Sequence, residues 1–381
     1  MSQRANASES AVAWAGGSDV EGADGIGSLS RVGFFPLVLL LVSLGGLAFG
    51  QDLSSTTPIA LASAPAASQL AAAHAGDVQA QLAVGKAYNG DGLVRRNYSE
   101  AVKWFSAAAA QGSVEASAWL GSSYLYGHGV TQDGARGASL IQAAAAQNNP
   151  VGMRFLGILY EDGQGVAQSY ATAAHWYTKA REQKDANAYD RLAQLYLHGL
   201  GVKKSVRQAV GLLTVGSRLG DSWAQLHLGE LYQSGQVHSG ADRSKTKSKA
   251  PSPSTPNYAM ALTLYGSAAA QGNRVAAYKL GELYRRGLGT EQDYGKALIY
   301  YQEAAYRRFA PAEVALGKAS EQGWGTAVDL VAAQVWYSLA ADQGDAAAGD
   351  LLALLKSKMT PEQMQQAGVR LSQWDALRNN N

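Results

Sequence analysis

The carboxylates most suggestive of catalysis in this 381-residue sequence are Glu230 and Glu282, each of which directly follows a Leu-Gly pair. Paired carboxylates hydrolyse glycosides when they lie ~5–5.5 Å apart in a retaining enzyme or ~6.5–9.5 Å apart in an inverting one. If the two Leu-Gly pairs mark equivalent positions of stacked helices, the carboxylates are ~10 Å apart, a typical distance between packed helices. Lys318 continues the series after the next Leu-Gly pair. We therefore predict a charged concave face, with an envelope glycan or peptide hydrolase as the least favoured alternative.

Metal, cofactor and nucleophile chemistry have little support in the sequence. The chain has no cysteine, which excludes thiolate metal sites and cysteine nucleophiles. Its histidines occupy positions 74, 128, 175, 198, 227 and 238, and no two of them are four residues apart, as a metal pair on one helix would be. The Gly-x-Gly sequences follow predicted helices, whereas a dinucleotide-binding fingerprint follows a strand. We predict no catalytic residue, no cofactor, no metal and no enzymatic activity.

Arginine and aromatic residues cluster in two short segments, Arg285-Arg286 and Tyr306-Arg307-Arg308. These residue types are enriched in the energetic hot spots of protein interfaces. The alternative is a pair of solvated helix ends, where cations are favourable because of the helix dipole. The segments are a candidate site for a partner protein.

A basic stretch separates two apolar segments between residues 237 and 256. It holds several prolines and serines and four cations, which are Arg243, Lys245, Lys247 and Lys249. Such a composition cannot bury much apolar area, so we expect a loop. The loop is either a hook for an acidic partner or anionic lipid headgroups, or an insertion that is tolerated because loop-closure entropy grows slowly with length.

The elements that must position these residues follow from a 36-residue period. A Leu-Gly or Val-Gly pair recurs with its glycine at positions 85, 121, 157, 229, 281 and 317, and Leu192-Ala193 takes its place once. A small residue precedes each glycine by five positions, and a tyrosine follows it by three positions in six of seven cases. A large apolar column recurs later, at Trp104, Leu140, Trp176, Leu212, Leu264, Tyr300 and Trp336.

Each unit has the start and stop signals of two antiparallel helices. The first helix ends in Gly-x-Gly, which supplies left-handed backbone. The second helix begins after an N-cap residue, in a column of Asn97, Asp133, Ser169, Ser205, Asn257, Asp293 and Asp329. A recurring glycine within the first helix costs ~1 kcal/mol, so it indicates a close approach, which we predict to be that of a neighbouring backbone. The sequence predicts an all-α solenoid of about seven helix-turn-helix repeats.

These columns resemble the Sel-one-like repeat (SLR) family of the tetratricopeptide-like superfamily. The stretch Asp293-Tyr294-Gly295-Lys296-Ala297 and the pair Trp336-Tyr337 follow its pattern closely, and the resemblance covers residues ~70–345. Gly137, Leu140 and Ser320 depart from the pattern. The resemblance implies a right-handed superhelix that acts as a non-catalytic adaptor for partner proteins, in many cases in bacterial envelopes. The predicted repeats lie near 77–112, 113–148, 149–184, 185–220, 221–272, 273–308 and 309–344.

The ends of the chain differ from the repeats. Residues 1–30 resemble a disordered tail, 32–50 form an uncharged apolar run, and 51–66 form a linker. The run would span ~28 Å as a helix, so it favours a single membrane pass over a signal cleaved near Gly50 or a buried helix. Because Arg31 precedes the run, the tail is expected in the cytoplasm and the solenoid in the periplasm. Residues 346–381 are predicted to be C-terminal capping helices.

The function that these expectations favour is an adaptor that binds envelope proteins on its concave face. The alternative is a periplasmic regulator that masks a membrane sensor or an exopolysaccharide machine. A net charge of +2 argues against nucleic acid, which needs a strongly basic surface.

Overall fold

A computed structural model describes residues 65–90, 94, 96–237 and 255–379. The predicted tail, the apolar run at 32–50, most of the linker and the basic residues Arg243, Lys245, Lys247 and Lys249 lie outside these ranges. Within the described ranges, no helix combines the length and the apolar character that crossing a bilayer requires.

The described chain folds into consecutive α-helices. They are α1 (Ala67–His74), α2 (Val78–Asn89), α3 (Tyr98–Ala110), α4 (Val114–Tyr126), α5 (Gly134–Ala146), α6 (Pro150–Asp162), α7 (Tyr170–Glu182), α8 (Ala186–His198), α9 (Val206–Arg218), α10 (Ser222–Gln233), α11 (Tyr258–Ala270), α12 (Arg274–Arg286), α13 (Tyr294–Tyr306), α14 (Ala310–Gln322), α15 (Leu330–Ala341), α16 (Ala346–Lys356) and α17 (Pro361–Asn379). The predicted all-α fold is confirmed over the described ranges.

The helices stack in two rows. The even-numbered helices from α2 to α14 are the first helices of the seven repeats, and each packs most closely on the helix that follows it. The odd-numbered helices from α3 to α15 are the second helices, and each also packs on the first helix of the next repeat. First helices of neighbouring repeats also contact each other directly, as α4 does α6 and α8 does α10. The first helices therefore line the inner side of the stack.

Side-chain caps start almost every helix of the stack. Every residue of the predicted N-cap column, from Asn97 to Asp329, accepts a hydrogen bond from a backbone N–H of the first turn. Most first helices have an equivalent cap, such as Ser113 and Asp185. Such caps contribute about 1 kcal/mol each and fix where each helix begins.

The recurring glycine accommodates an aromatic ring, which corrects the expectation of a close backbone. A Cβ on Gly157 would lie 2.4 Å from a ring carbon of Tyr177, and one on Gly317 equally close to Tyr337. Gly85, Gly229 and Gly281 face Phe105, Tyr265 and Tyr301 in the same way. Only at Gly121, in repeat 2, does a backbone atom approach as closely as a side chain, at 2.9 Å. The ring belongs to the residue after the predicted apolar column, because that residue faces the first helix of its own repeat.

The two ends of the stack are covered differently. Helix α1 packs on α2 and supplies a half-repeat at the N-terminal end. At the other end, α17 packs mainly on α15, whereas a regular second helix would pack mainly on the helix before it. Its apolar face contains Met364, Ala367, Leu371 and Trp374, and all four join the core of the C-terminal repeats. Thr360 and Gln363 exchange capping hydrogen bonds at its start.

Candidate functional site

The inner face of the solenoid is formed by first-helix residues six and two positions before the repeated glycine and one and five positions after it. These positions share one side of a helix because they are three or four residues apart. Contacts between repeats run along this face, such as Trp119 with Phe155 and Lys279 with Glu230. From repeat 2 to repeat 7 the face includes Trp119, Phe155, Ile158, Arg191, Gln194, Trp223, His227, Glu230, Lys279, Glu282, Arg286 and Lys318.

The part of the inner face in repeats 2 and 3, here called the closed region, is packed with aromatic and apolar side chains. Phe155 and Ile158 are buried, and the rings of Trp119 and Phe155 meet edge to face. The guanidinium of Arg154 lies over the Phe155 ring and bonds to Asp185 at 3.1 Å, and both members of this ion pair are buried. This region leaves little side-chain surface for a partner.

A buried polar cluster joins α8 to α10. His227 Nδ1 and Asp190 Oδ1 are 2.6 Å apart, and Asn187 donates to Asp221 at 2.9 Å. Burial and the charge of Asp190 raise the pKa of Asp221 to about 7. Burial alone would lower the pKa of His227, but Asp190, Glu230 and Asp221 outweigh it and raise that pKa. The cluster therefore holds its protons more tightly than the free side chains would.

A second polar group joins the ends of α4 and α6 to the middle of α7 and to α8. The Tyr126 hydroxyl donates to Asp162 at 3.3 Å, and the buried Tyr177 hydroxyl donates to Glu161. Burial and the neighbouring carboxylates raise the pKa of both tyrosines, while Arg191 opposes the rise. At neutral pH these tyrosines are neutral donors, so the group links helices and does not supply a base.

The part of the inner face in repeats 5 to 7, here called the open region, carries charged side chains in contact with solvent. The predicted Glu230 pairs with Lys279 at 2.9 Å, and both side chains are about one-third exposed. Glu282 accepts two hydrogen bonds from Arg285, at 3.1 and 2.8 Å, and one from the Tyr301 hydroxyl. Each carboxylate thus has its own partner, Lys279 for Glu230 and Arg285 with Tyr301 for Glu282.

Aromatic and cationic side chains border these pairs. Trp223 is 47% exposed on α10 and lies beside the ring of His227. The guanidinium of Arg285 lies over the Trp324 ring at 5.2 Å. Arg286 is exposed and Lys318 is half-buried on the same face. The open region therefore offers aromatic surface and positive charge together.

The structure separates the two arginine segments that the sequence grouped. Arg285 and Arg286 end α12, whereas Arg307 and Arg308 follow the end of the antiparallel helix α13, at the opposite edge of the repeat. The Tyr306 ring stacks on Trp374 of α17 at 5.5 Å, so the capping helix covers it. The backbone oxygens of Arg307 and Arg308 accept hydrogen bonds from Arg274. Only the first segment belongs to the open region.

Several residues that join neighbouring repeats were not predicted from the sequence. Asp185 is the N-cap residue of α8. Arg154, Asp190 and His227 occupy columns whose residue types differ from repeat to repeat, so a search for repeated columns passes over them. A period-3.6 projection of each first helix away from its glycine would have found them. Among the described residues, no three histidine or acidic side chains converge as metal ligands do.

Comparison with known proteins agrees with this architecture. The Sel1 repeat pattern matches residues 78–113, 114–149, 150–185, 186–221, 224–249, 252–273, 274–308 and 310–345. Two of these segments, 224–249 and 252–273, divide the predicted fifth repeat within its insertion. No curated protein is similar enough in sequence to count as a relative.

Solved structures with a similar fold come from several bacteria. A Sel1 repeat protein from Oxalobacter formigenes is 28% identical, with a TM-score of 0.53 over 65% of this chain and 94% of that chain. A protective antigen of uropathogenic Escherichia coli with an SLR fold is 23% identical, with a TM-score of 0.30 over 80% and 85%. An immunity protein from Pseudomonas aeruginosa is 20% identical, with a TM-score of 0.44 over 60% and 81%.

Proposed function

The chain belongs to the Sel1 repeat family, and from that premise we propose that it is a scaffold that binds a partner protein on the open region of its inner face. Sel1 repeat folds generally serve as non-catalytic scaffolds for protein interactions. The proposal concerns which surface of this chain is used, what kind of partner it takes and where the protein acts.

The main support for this site is the contrast in the solvent exposure of side chains along the inner face. Phe155 and Ile158 are buried in the closed region, whereas Trp223 and Arg286 are exposed to solvent in the open region. Tryptophan and arginine are the residue types that most often dominate binding energy in interfaces.

Binding to such a surface needs little rearrangement of the scaffold. Most of the first helices are held by a side-chain cap and by a ring packed against their glycine, so the surface exists before the partner arrives. A preformed surface avoids part of the entropy cost of association. Cationic residues such as Arg286 and Lys318 would favour an acidic partner and speed its encounter through long-range attraction.

The envelope is the proposed location. An uncharged apolar run at 32–50 after Arg31 supports a single membrane pass with the solenoid in the periplasm, or secretion after cleavage near Gly50. In that setting the scaffold acts as an adaptor. The alternative role is a regulator that masks a membrane sensor or exopolysaccharide machinery until it is displaced.

Crosslinked affinity capture of the full chain from intact cells, followed by mass spectrometry, tests the proposed surface. The test variant is Arg286→Glu with Lys318→Glu, which reverses charge on the open region. The matched control is Arg308→Gly, which removes a cation at the opposite edge of the same repeat. We expect a partner that the wild type and the control retain and the double variant loses. Equal capture by all three proteins, or a loss confined to the control, would overturn the open region as the site.

A further inference from the structure

A cavity of about 530 Å³ opens between repeats 2 and 3, on the side of the second helices. Gly134, Ala138 and Ser139 of α5 line it, and Gln132, Gln142 and Gln164 supply amide groups around it. Its volume lies within the ~300–1,000 Å³ of small-molecule and side-chain pockets. No residue of the open region lines this cavity.

The cavity lies where other repeats place a tyrosine. The second helices of repeats 1, 3, 5 and 6 begin with Tyr98, Tyr170, Tyr258 and Tyr294, whereas α5 begins with Gly134. In those repeats the tyrosine packs against the Gly-x-Gly loop of the next repeat. Tyr98 stacks on His128 with ring centres 4.2 Å apart, and Tyr294 stacks on Trp324 at 6.4 Å.

The packing of the Gly-x-Gly loops also differs between repeat 3 and the other repeats. A Cβ on the second loop glycine would lie 2.3–2.8 Å from backbone or Cβ atoms at the start of the preceding repeat's second helix at Gly129, Gly201, Gly289 and Gly325. At Gly165, the corresponding glycine beside the cavity, the nearest atom to such a Cβ is the Cβ of Ala138 at 3.8 Å. The loop of repeat 3 therefore stands farther from the start of its neighbouring second helix, α5, which leaves space beside Gly134.

Hydrogen bonding around the ring has a template in the same chain. In repeat 3 the Gln168 amide donates to the Glu161 carbonyl at 2.8 Å and to the Tyr170 hydroxyl at 3.1 Å. In repeat 6 Gln292 makes the same two bonds, to Arg285 and Tyr294. Gln132 makes the first bond, to the Leu125 carbonyl at 2.9 Å. It has no tyrosine hydroxyl for the second bond because Gly134 has no side chain.

We propose that this cavity is a binding site for the tyrosine side chain of a partner protein, which supplies the ring that repeats 1, 3, 5 and 6 provide from within, whereas repeats 4 and 7 have Val206 and Leu330 there. The phenol would insert between Gly134 and the Gly165 loop, and its hydroxyl would accept from the Gln132 amide. Ser139 and Gln142 would bond to the polypeptide that carries the tyrosine, because the cavity is larger than one ring. The inference that the tyrosine belongs to a partner protein rests on the proposed scaffold function. The inference that the cavity, here called the ring site, binds an aromatic ring does not.

Ligand-observed NMR of the full chain with N-acetyl-L-tyrosinamide tests the ring site. We expect saturable, millimolar binding, about three- to tenfold weaker for N-acetyl-L-phenylalaninamide because one hydrogen bond is lost. Gly134→Tyr should fill the cavity as Tyr170 fills its own site, and should weaken binding at least about tenfold. Gly134→Ala is the matched control, since it keeps the cavity and should keep the affinity.

A second cavity-filling variant protects the test against misfolding. Ala138→Leu places in α5 the residue that α11 and α13 have at the same position, Leu262 and Leu298, and should also block the probe. Absence of probe binding to the wild type, or unchanged binding in a folded Gly134→Tyr protein, would overturn the ring site.

The source of the tyrosine is tested separately. The peptide acetyl-Gly-Gly-Tyr-Gly-Gly-amide should bind at least about threefold more tightly than N-acetyl-L-tyrosinamide, since its backbone reaches Ser139 and Gln142. Equal affinity of the two probes would contradict a protein segment as the ligand. Because these probes do not contact Arg286 or Lys318, their binding can succeed or fail independently of partner capture on the inner face.

Discussion

The closed and open regions of the inner face use the same helix positions for different purposes. Two positions before and one position after the glycine, the closed region has Phe155 and Ile158, which are 6% and 7% exposed. In the open region Lys279 and Glu230 form an ion pair whose side chains are 31% and 37% exposed. One set of positions therefore holds repeats together at one end and faces solvent at the other.

This difference shows that a repeat protein can use some repeats for stability and others for binding without changing its fold. Packing within the repeats is similar, because a ring lies against the glycine in five of the seven repeats and the N-caps of the second helices recur in all seven. The inner-face positions take no part in this packing within the repeat, so their residue types differ between repeats. Stability is expected to depend most on the closed region, and binding on the open region.

The largest expected effect comes from breaking the buried ion pair. Arg154→Met leaves the Asp185 carboxylate buried without its cation, which costs about 3–5 kcal/mol of unfolding free energy. The same substitution in the open region, Lys279→Met, should cost at most about 1 kcal/mol, because exposed pairs contribute little. Urea unfolding followed by circular dichroism measures both. Similar losses for the two variants would contradict the division between the regions.

Most of the contrast between the closed and open regions could not be predicted from the sequence. The N-cap column from Asn97 to Asp329 was predicted because each cap depends only on local backbone geometry. The partners of Arg154 and Glu230 depend on which side chain of the next repeat comes within reach. Those partners, Asp185 and Lys279, lie 31 and 49 residues away in the chain. The vacant ring position at Gly134 becomes visible only when its counterparts in the other repeats are seen packed.

The next largest effect tests whether packing within the repeats is shared by both regions. Gly157→Ala and Gly317→Ala each place a Cβ 2.4 Å from the ring of a fully buried tyrosine, Tyr177 or Tyr337. Overpacking of this kind costs about 1–3 kcal/mol, and we expect similar losses at the two positions. Gly349→Ala, which meets no atom within 4 Å, should instead gain up to about 1 kcal/mol from helix propensity. A marked difference between Gly157 and Gly317 in thermal unfolding would show that the regions differ in their packing as well.

The polar cluster between α8 and α10 predicts a pH dependence at the border of the two regions. The folded-state pKa of Asp221 is raised to about 7, so the folded protein holds this proton where the unfolded chain has released it. Stability from this group is present below the unfolded pKa of ~3.9 and is lost as pH rises towards 7. The raised pKa of His227 acts in the same direction at higher pH.

Asp221→Asn isolates this effect. Asparagine keeps the cap, as Asn273 does at the equivalent position of α12, but it does not titrate. Between about pH 5 and pH 8 we expect the wild type to lose about 2–3 kcal/mol more stability than the variant. Parallel pH profiles for the two proteins in thermal unfolding would rule out Asp221 as the titrating group.

The smallest expected effect concerns two exposed residues in left-handed backbone, one near each region. Lys184 has a φ of 63° and Arg308 a φ of 57°, at a turn position where Gly112, Gly220, Gly272 and Gly344 stand in other repeats. Left-handed backbone costs a residue with a Cβ about 1 kcal/mol, so Lys184→Gly and Arg308→Gly should each gain about 0.5–1 kcal/mol, reduced by the greater freedom of glycine in the unfolded chain. Equal gains, with partner capture unchanged, would show that Arg308 costs stability for no role in binding and would leave the open region as the binding surface. If Arg308→Gly gains stability but loses capture of the partner, the binding surface lies at the opposite edge of repeat 6. Solvent exposure on the inner face would then not indicate where the partner binds.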